Sequence, residues 1–155
     1  MIGTSAFSDR TEFSVPTGNL GDAYRWLGQL EKATAAYKKA IALAKVSPDA
    51  QSPMTLSDVG LLYAKIGNQA QAVQYTRLAR AKSPSDVQIM YYEGQVYVLL
   101  GQPTKAIAGY RQAIAKGYSR LELWNDPENQ NMQSLPEFVS LAGPTHQSSD
   151  RVESR

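Results

Sequence analysis

Cysteine is absent and histidine occurs once, as His146. No thiol means no disulfide and no thiolate metal site, and it leaves the redox compartment open. Long apolar runs are missing as well. Nothing approaches the ~18 consecutive apolar residues that cross a bilayer, so no membrane partner is expected. The opening Met1-Ile2-Gly3-Thr4-Ser5-Ala6-Phe7 lacks the basic start and apolar stretch of a secretory leader. The expectation is a cytoplasmic protein, or a soluble part of a larger one. Charge of one sign is also in short supply. The net charge is +2, too weak to argue for nucleic acid. Its distribution is less even: residues 1–118 hold 13 Lys and Arg against 8 Asp and Glu, and residues 119–155 hold 3 against 6.

Catalytic signatures are missing too. There is no G-x-S-x-G, no H-E-x-x-H, no G-x-x-x-x-G-K-[ST] and no G-x-G-x-x-G. His146 stands beside Gly143-Pro144 in a serine-rich, mixed-charge end that reads as disordered. Asp126 and Glu128 could be paired carboxylates, yet an Asp before Pro127 reads more simply as a helix or turn cap. No enzyme, cofactor or metal site is expected.

What is present is a repeat. Leu56, Val59, Gly60, Tyr63, Gly67, Ala72 and Ala79 recur 34 residues later as Met90, Glu93, Gly94, Tyr97, Gly101, Ala106 and Ala113. An upstream copy, Leu20-Gly21-x2-Tyr24-x3-Gly28-x4-Ala33-x3-Tyr37-x2-Ala40, lies 39 residues before the second. Five extra residues therefore fall between Ala40 and Leu56. A period of this size means stacked helix pairs. Gly28, Gly67 and Gly101 each end a helix in a left-handed conformation. The spacing predicts first helices over about 17–27, 54–66 and 87–100, and second helices over about 31–46, 69–82 and 103–116. Pro16 and Gly18 predict that nothing helical begins before Thr17. Ser52 and Asp86 suit N-caps. Gly60 and Gly94 mark the crossing of each pair, with Ala72 and Ala106 facing them. Glu93 breaks the apolar pattern, so its stem packs and its head reaches water, or the third pair is looser.

These copies resemble tetratricopeptide repeats, over about residues 14–118. Departures are Thr17, Leu56 and Met90 at the Trp site, Thr76 where Tyr37 and Tyr110 supply an aromatic, and Tyr118 in place of the closing Pro. The resemblance implies an all-α fold, a right-handed α-solenoid of three helix-turn-helix pairs (about 17–47, 53–86 and 87–118). It is expected to carry a flexible arm at 1–16, capping helices at 119–142 and a disordered tail at 143–155. Leu121, Trp124, Leu135, Phe138 and Leu141 are the expected cover of the last pair. A narrower resemblance rests on Leu20-Gly21-Asp22-Ala23-Tyr24-Arg25-Trp26, Ala113-Ile114-Ala115-Lys116-Gly117-Tyr118-Ser119, Asp126-Pro127-Glu128 and Leu135-Pro136-Glu137-Phe138. These strings are similar to the carboxy-terminal repeat regions of bacterial multidomain signalling proteins, serine/threonine kinases among them.

The family's architecture implies a concave groove lined by the first helices. The residues expected there are Asp22, Arg25 and Trp26, then Met54, Ser57, Leu61, Ala64 and Lys65, then Gln88, Tyr91, Gln95, Val98 and Leu99. Trp26 has a second reading, packing against the arm. The set lacks the Lys/Asn arrangement with which chaperone-binding relatives hold a terminal carboxylate. It suits an amphipathic helix or an extended apolar peptide better. The expected function is a non-catalytic scaffold module that binds a protein or peptide partner. The rivals are a regulatory appendage acting in cis on a kinase or cyclase domain, and self-association through the clipped first repeat. Another alternative is that the chain's own tail covers the groove. The basic residues Lys38, Lys39, Lys45, Arg77, Arg80 and Lys82 lie mostly on second helices without interleaved aromatics, so no nucleic acid is expected.

Overall fold

The computed structural model describes residues 9–144, with side chains from residue 14 onward. Residues 1–8 of the expected arm and 145–155 of the expected tail, His146 included, lie outside the described residues. The described residues form helices α1 (Asp9–Trp26), α2 (Leu30–Lys45), α3 (Pro53–Lys65), α4 (Gln69–Lys82), α5 (Val87–Leu99), α6 (Pro103–Ala115), α7 (Arg120–Asn125) and α8 (Pro136–Ala142). A 3-10 segment, Pro127–Ser134, joins α7 to α8. The helices pack as consecutive antiparallel pairs, α1 on α2, α3 on α4 and α5 on α6, and successive pairs stack through α2–α3 and α3–α5 contacts. No strand occurs among the described residues.

Local chemistry accounts for the ends. Gly28, Gly67 and Gly101 adopt φ values of 73°, 77° and 67°, the left-handed turn that closes each first helix. Ser52 accepts a hydrogen bond from the Thr55 amide at 3.1 Å. Asp86 accepts from the amides of Gln88 and Ile89, and Ser119 accepts from that of Glu122. One boundary corrects the sequence expectation. Helix α1 begins at Asp9 and runs through Pro16, so residues 9–16 are not a loose arm. Pro16 is exposed, where a proline bend is tolerated. Packing on α2, more than intrinsic propensity, holds the helix together.

Each pair closes on a glycine, but the group that faces it is not the expected alanine. A Cβ on Gly94 would lie 2.3 and 2.4 Å from Cε1 and Cδ1 of Tyr110, and one on Gly21 2.5 and 2.6 Å from the same atoms of Tyr37. Both rings are fully buried. The residue over the glycine stands four positions after the repeat's alanine (Ala33 to Tyr37, Ala106 to Tyr110), one helical turn along the same face. In the middle pair that position is Thr76, whose hydroxyl donates to the Ala72 carbonyl at 2.8 Å and would lie 2.9 Å from a Cβ on Gly60.

The third pair is covered by the C-terminal segment. Leu123 and Phe138 are fully buried with Tyr110, Met132 joins them, and Trp124, Leu135 and Leu141 pack around them. Leu121 is 68% exposed and takes no part, because Leu123 and not Leu121 sits on the inward side of the short α7. Asn129 is buried without loss: it accepts from the Tyr110 hydroxyl at 2.6 Å and donates to the Leu123 carbonyl at 2.9 Å. Glu93 pairs with Arg80 of α4 at 2.8 Å, which explains how a carboxylate is tolerated in a repeat position that wants an apolar residue.

The two kinds of crossing differ in what they can absorb. Gly94→Ala pushes a methyl into a buried ring anchored by Asn129, and is expected to lower stability by about 2 kcal/mol or more after the better helix propensity of Ala is counted. Gly60→Ala meets a threonine hydroxyl at 2.9 Å and the backbone of α4 at 3.3 and 3.4 Å, a milder clash than a ring at 2.3 Å, and is expected to cost about 1 kcal/mol. Urea unfolding of both variants, read as midpoints at constant slope, checks the order.

Candidate functional site

The inner face of the stack is a stripe that repeats with the helices. Val15, Asn19, Asp22 and Trp26 of α1, Met54, Asp58, Leu61 and Lys65 of α3, and Tyr92, Gln95 and Leu99 of α5 line one cavity of about 690 Å³. Asp58 and Tyr92, Leu61 and Gln95, and Lys65 and Leu99 are each separated by the repeat length of 34, and Asn19, Asp22 and Trp26 precede the same places by 39. The turn that holds the five extra residues adds a lip. Ser47 is buried and donates to the Ala44 carbonyl and to Asp49, and all three residues line the cavity. The far wall is Asp126-Pro127-Glu128, which enters the 3-10 segment and reaches back to the first pair.

That wall is anchored by its acids. Glu128 forms an ion pair with Arg25 of α1. Asp126 accepts from the Tyr91 hydroxyl and from Gln95 Nε2, and caps the 3-10 segment through the Glu128 amide at 2.8 Å. Burial opposes charge on Arg25, but Glu128 outweighs it and the guanidinium pKa is raised. Burial, reinforced by Asp126, also lifts the Tyr91 hydroxyl far above the ordinary phenol range. Tyr91 therefore acts as a fixed donor and not as an acid.

Most of the remaining cavity charge is negative. Asp22 accepts from the Lys65 ammonium at 2.7 Å and from the Tyr37 hydroxyl at 2.6 Å. Asp49 is held below the usual carboxylate range, first by the Ser47 hydroxyl and then, against the cost of burial, by Thr55. Asp58 differs from both. It makes no hydrogen bond among the described residues. Burial pushes its carboxyl up to about 6, with Lys65 on its own helix opposing and Asp49 across the lip reinforcing the shift. No cluster of three or more metal-ligating side chains occurs among the described residues.

The expected groove residues fall into three groups. Asp22, Trp26, Met54, Leu61, Lys65, Gln95 and Leu99 line the cavity. Arg25 braces its wall from behind. Ser57, Ala64 and Tyr91 are corrections, because all three are buried. Stacking of α3 on α5 encloses Ala64 with Ala72 and Val96. Tyr91 lies beneath the C-terminal segment, stacked on Tyr118 with ring centroids 4.3 Å apart. Val98 packs on that same cluster, and Gln88 contacts the Tyr92 hydroxyl. Trp26 is 68% exposed and borders the cavity; its other reading, packing against the arm, falls largely outside the described side chains. The residues missed are Asn19, Asp58 and Tyr92, one stripe position, together with the lip and wall. The signal was present: Met54, Asp58, Leu61 and Lys65 are spaced 4, 3 and 4, a single helical face.

Two family profiles, both described as tetratricopeptide repeat, match the chain, one over residues 13–82 and one over 88–118. The chain belongs to the tetratricopeptide-repeat family. Together the two matches cover all three helix pairs and stop where the capping segment begins. Comparison with curated proteins gives no match. In the tetratricopeptide-repeat frame the cavity is the concave face of the array. Repeats of this family form protein–protein interaction modules, and this chain is one of them. No described helix is long and apolar enough to cross a membrane.

Asp58 supplies a pH test. The folded chain holds its proton more tightly than the unfolded chain, whose carboxyl titrates near 3.8. Stability is therefore lost as pH rises through about 4 to 6. Asp58→Asn removes that loss and is expected to be more stable than the parent by about 1–2 kcal/mol at pH ~7.5, with the gap closing by pH ~4. Urea titrations at the two pH values measure it.

Proposed function

We propose that the concave cavity is where this module binds an extended or helical segment of a partner protein. The observation that carries the reading is one surface built from equivalent positions of three repeats, with Trp26 left 68% exposed at its edge. A large aromatic exposed in a concave site offers a partner much apolar area at little entropic cost. Met54, Leu61 and Leu99 continue that apolar surface. The described part of the C-terminal segment shapes the site, and its Leu123, Met132 and Phe138 are spent on the third pair. Arg25 and Glu128, the outermost fastening, hold the rim.

The test takes a partner recovered by affinity purification with the full chain and compares two single substitutions. Leu61→Lys, inside the cavity, is expected to weaken binding by about tenfold or more, a loss of about 1.4 kcal/mol. Leu78→Lys, on the exposed face of α4, is expected to leave affinity unchanged. The same purification reports whether the segment comes from a separate chain or from a signalling domain on the same polypeptide. Equal affinities for the two variants count against the cavity.

A second reading has its own observation. Leu20, Leu27 and Leu30 on the first pair are 49%, 70% and 64% exposed, an apolar front that a second copy could cover. Light scattering over a concentration series should then show a mass rising from 17.0 kDa toward twice that value, and a constant mass removes the reading.

A further inference from the structure

We infer that the occupant of the concave cavity is a partner segment that presents a lysine or arginine between apolar residues, the cation entering toward Asp58 and Gln95. The inference rests on the interaction reading above and adds the chemistry of what is bound.

Three observations point the same way. First, two acceptors in the cavity are served by no described donor. Gln95 is nine-tenths buried. Its Nε2 is committed to Tyr91 and Asp126, while its Oε1 accepts no hydrogen bond from a described residue. Asp58 has no hydrogen-bond partner either. Neither acceptor is sealed from water, since Arg25 Nε is the one buried side-chain polar atom without a partner among the described residues, and a cationic side chain with several N–H groups is the ligand that can replace water at both.

Second, the charges do not cancel. Asp22, Asp49, Asp58, Asp126 and Glu128 line the cavity, and Lys65 is its one lining cation among the described residues. Lys65 pairs with Asp22 and Arg25 pairs with Glu128. Among the described residues Asp49, Asp58 and Asp126 form no ion pair. Walls of low polarity strengthen the field of such a set. The wall that the described C-terminal segment adds, Asp126-Pro127-Glu128, brings two more carboxylates and no cation.

Third, Trp26 and Tyr92 border the same space. Aromatic faces beside carboxylates attract an ammonium or guanidinium and also pack against the alkyl stem behind it. Apolar neighbours in the partner would then meet Met54, Leu61 and Leu99.

The groups facing Asp58 set the pH behaviour. Lys65 faces it from α3, Asp49 from the lip and Tyr92 from α5, with Asp22 of α1 acting through Lys65. A carboxyl that titrates at about 6 loses its charge on mild acidification, so a bound cation is released as pH falls through that value.

The experiment pans a phage-displayed library of random dodecapeptides against the full chain at neutral pH. Synthetic versions of the enriched peptides are then titrated against the parent, Asp58→Asn, Trp26→Ala and Leu61→Lys. The expected result is enrichment of peptides with a central Lys or Arg flanked by apolar residues. Their affinity should fall about tenfold with Asp58→Asn, and about two- to fivefold with Trp26→Ala, the range of an exposed cation–aromatic contact. For the parent it should weaken between about pH 7 and pH 5 as Asp58 takes up a proton, and for Asp58→Asn it should not. Peptides that depend on Leu61 but carry no basic residue overturn this inference and leave the interaction reading standing. Peptides indifferent to all three substitutions overturn both. Failure to enrich any peptide, or a dimer mass abolished by Trp26→Ala, places no foreign cation in the cavity and also overturns the inference.

Discussion

The structure depends on how closely two helices of one pair approach each other. At Gly21 and Gly94 the partner ring occupies the volume a methyl would need, so the glycine and the ring are one packing unit. Tyr37 and Tyr110 are then held in fixed places, and each hands a hydroxyl onward. Tyr37 donates to Asp22 at the cavity wall, and Tyr110 donates to Asn129 in the capping segment. A contact made for packing thus also orients polar groups on the functional face and at the cap. Burial raises both phenols well above their ordinary range, which keeps them as permanent donors.

The cavity is a product of irregularity laid on that regular frame. Three equivalent helices would make an open trough. The five added residues after the first pair raise a lip through Ser47 and Asp49, and the turn into the 3-10 segment raises the opposite wall. Both additions bring carboxylates: hydroxyl and amide donors serve Asp49 and Asp126, and Glu128 takes the Arg25 cation. The outcome is an apolar recess with a negative lining inside a chain whose net charge is slightly positive. Net charge says little about this face, since the field that matters is local.

Much of the fold was legible because its signals are short-range. A 34-residue period, glycines at the turns, and Ser52 and Asp86 as caps each announce themselves locally. The start of the first helix was not legible, because Pro16 is a local stop that tertiary packing on α2 overrides. The stripe of the concave face was read one step out of phase in places. Ser57 and Ala64 were taken in place of Asp58, since helix propensity fixes which residues share a face but not where the neighbouring pair sits on it. Tyr91 was misplaced for a different reason. Its cover comes from residues 118 and 126, and no local pattern announces that a distant segment will fold over a ring. Asn129 was invisible for the same reason: its burial has meaning only once Tyr110 and Leu123 surround it.

Arg25 and Glu128 are separated by 103 positions along the chain, yet they meet. A stack of helix pairs ordinarily behaves as a one-dimensional chain, in which each unit feels only its neighbours and terminal units fray independently. Here the first unit also feels the last. Melting of either end releases a contact at the other, so the array gains cooperativity that neighbour-to-neighbour coupling alone would not give it. The aperture between the ends, free to open and close in an uncoupled superhelical spring, is bridged by this ion pair.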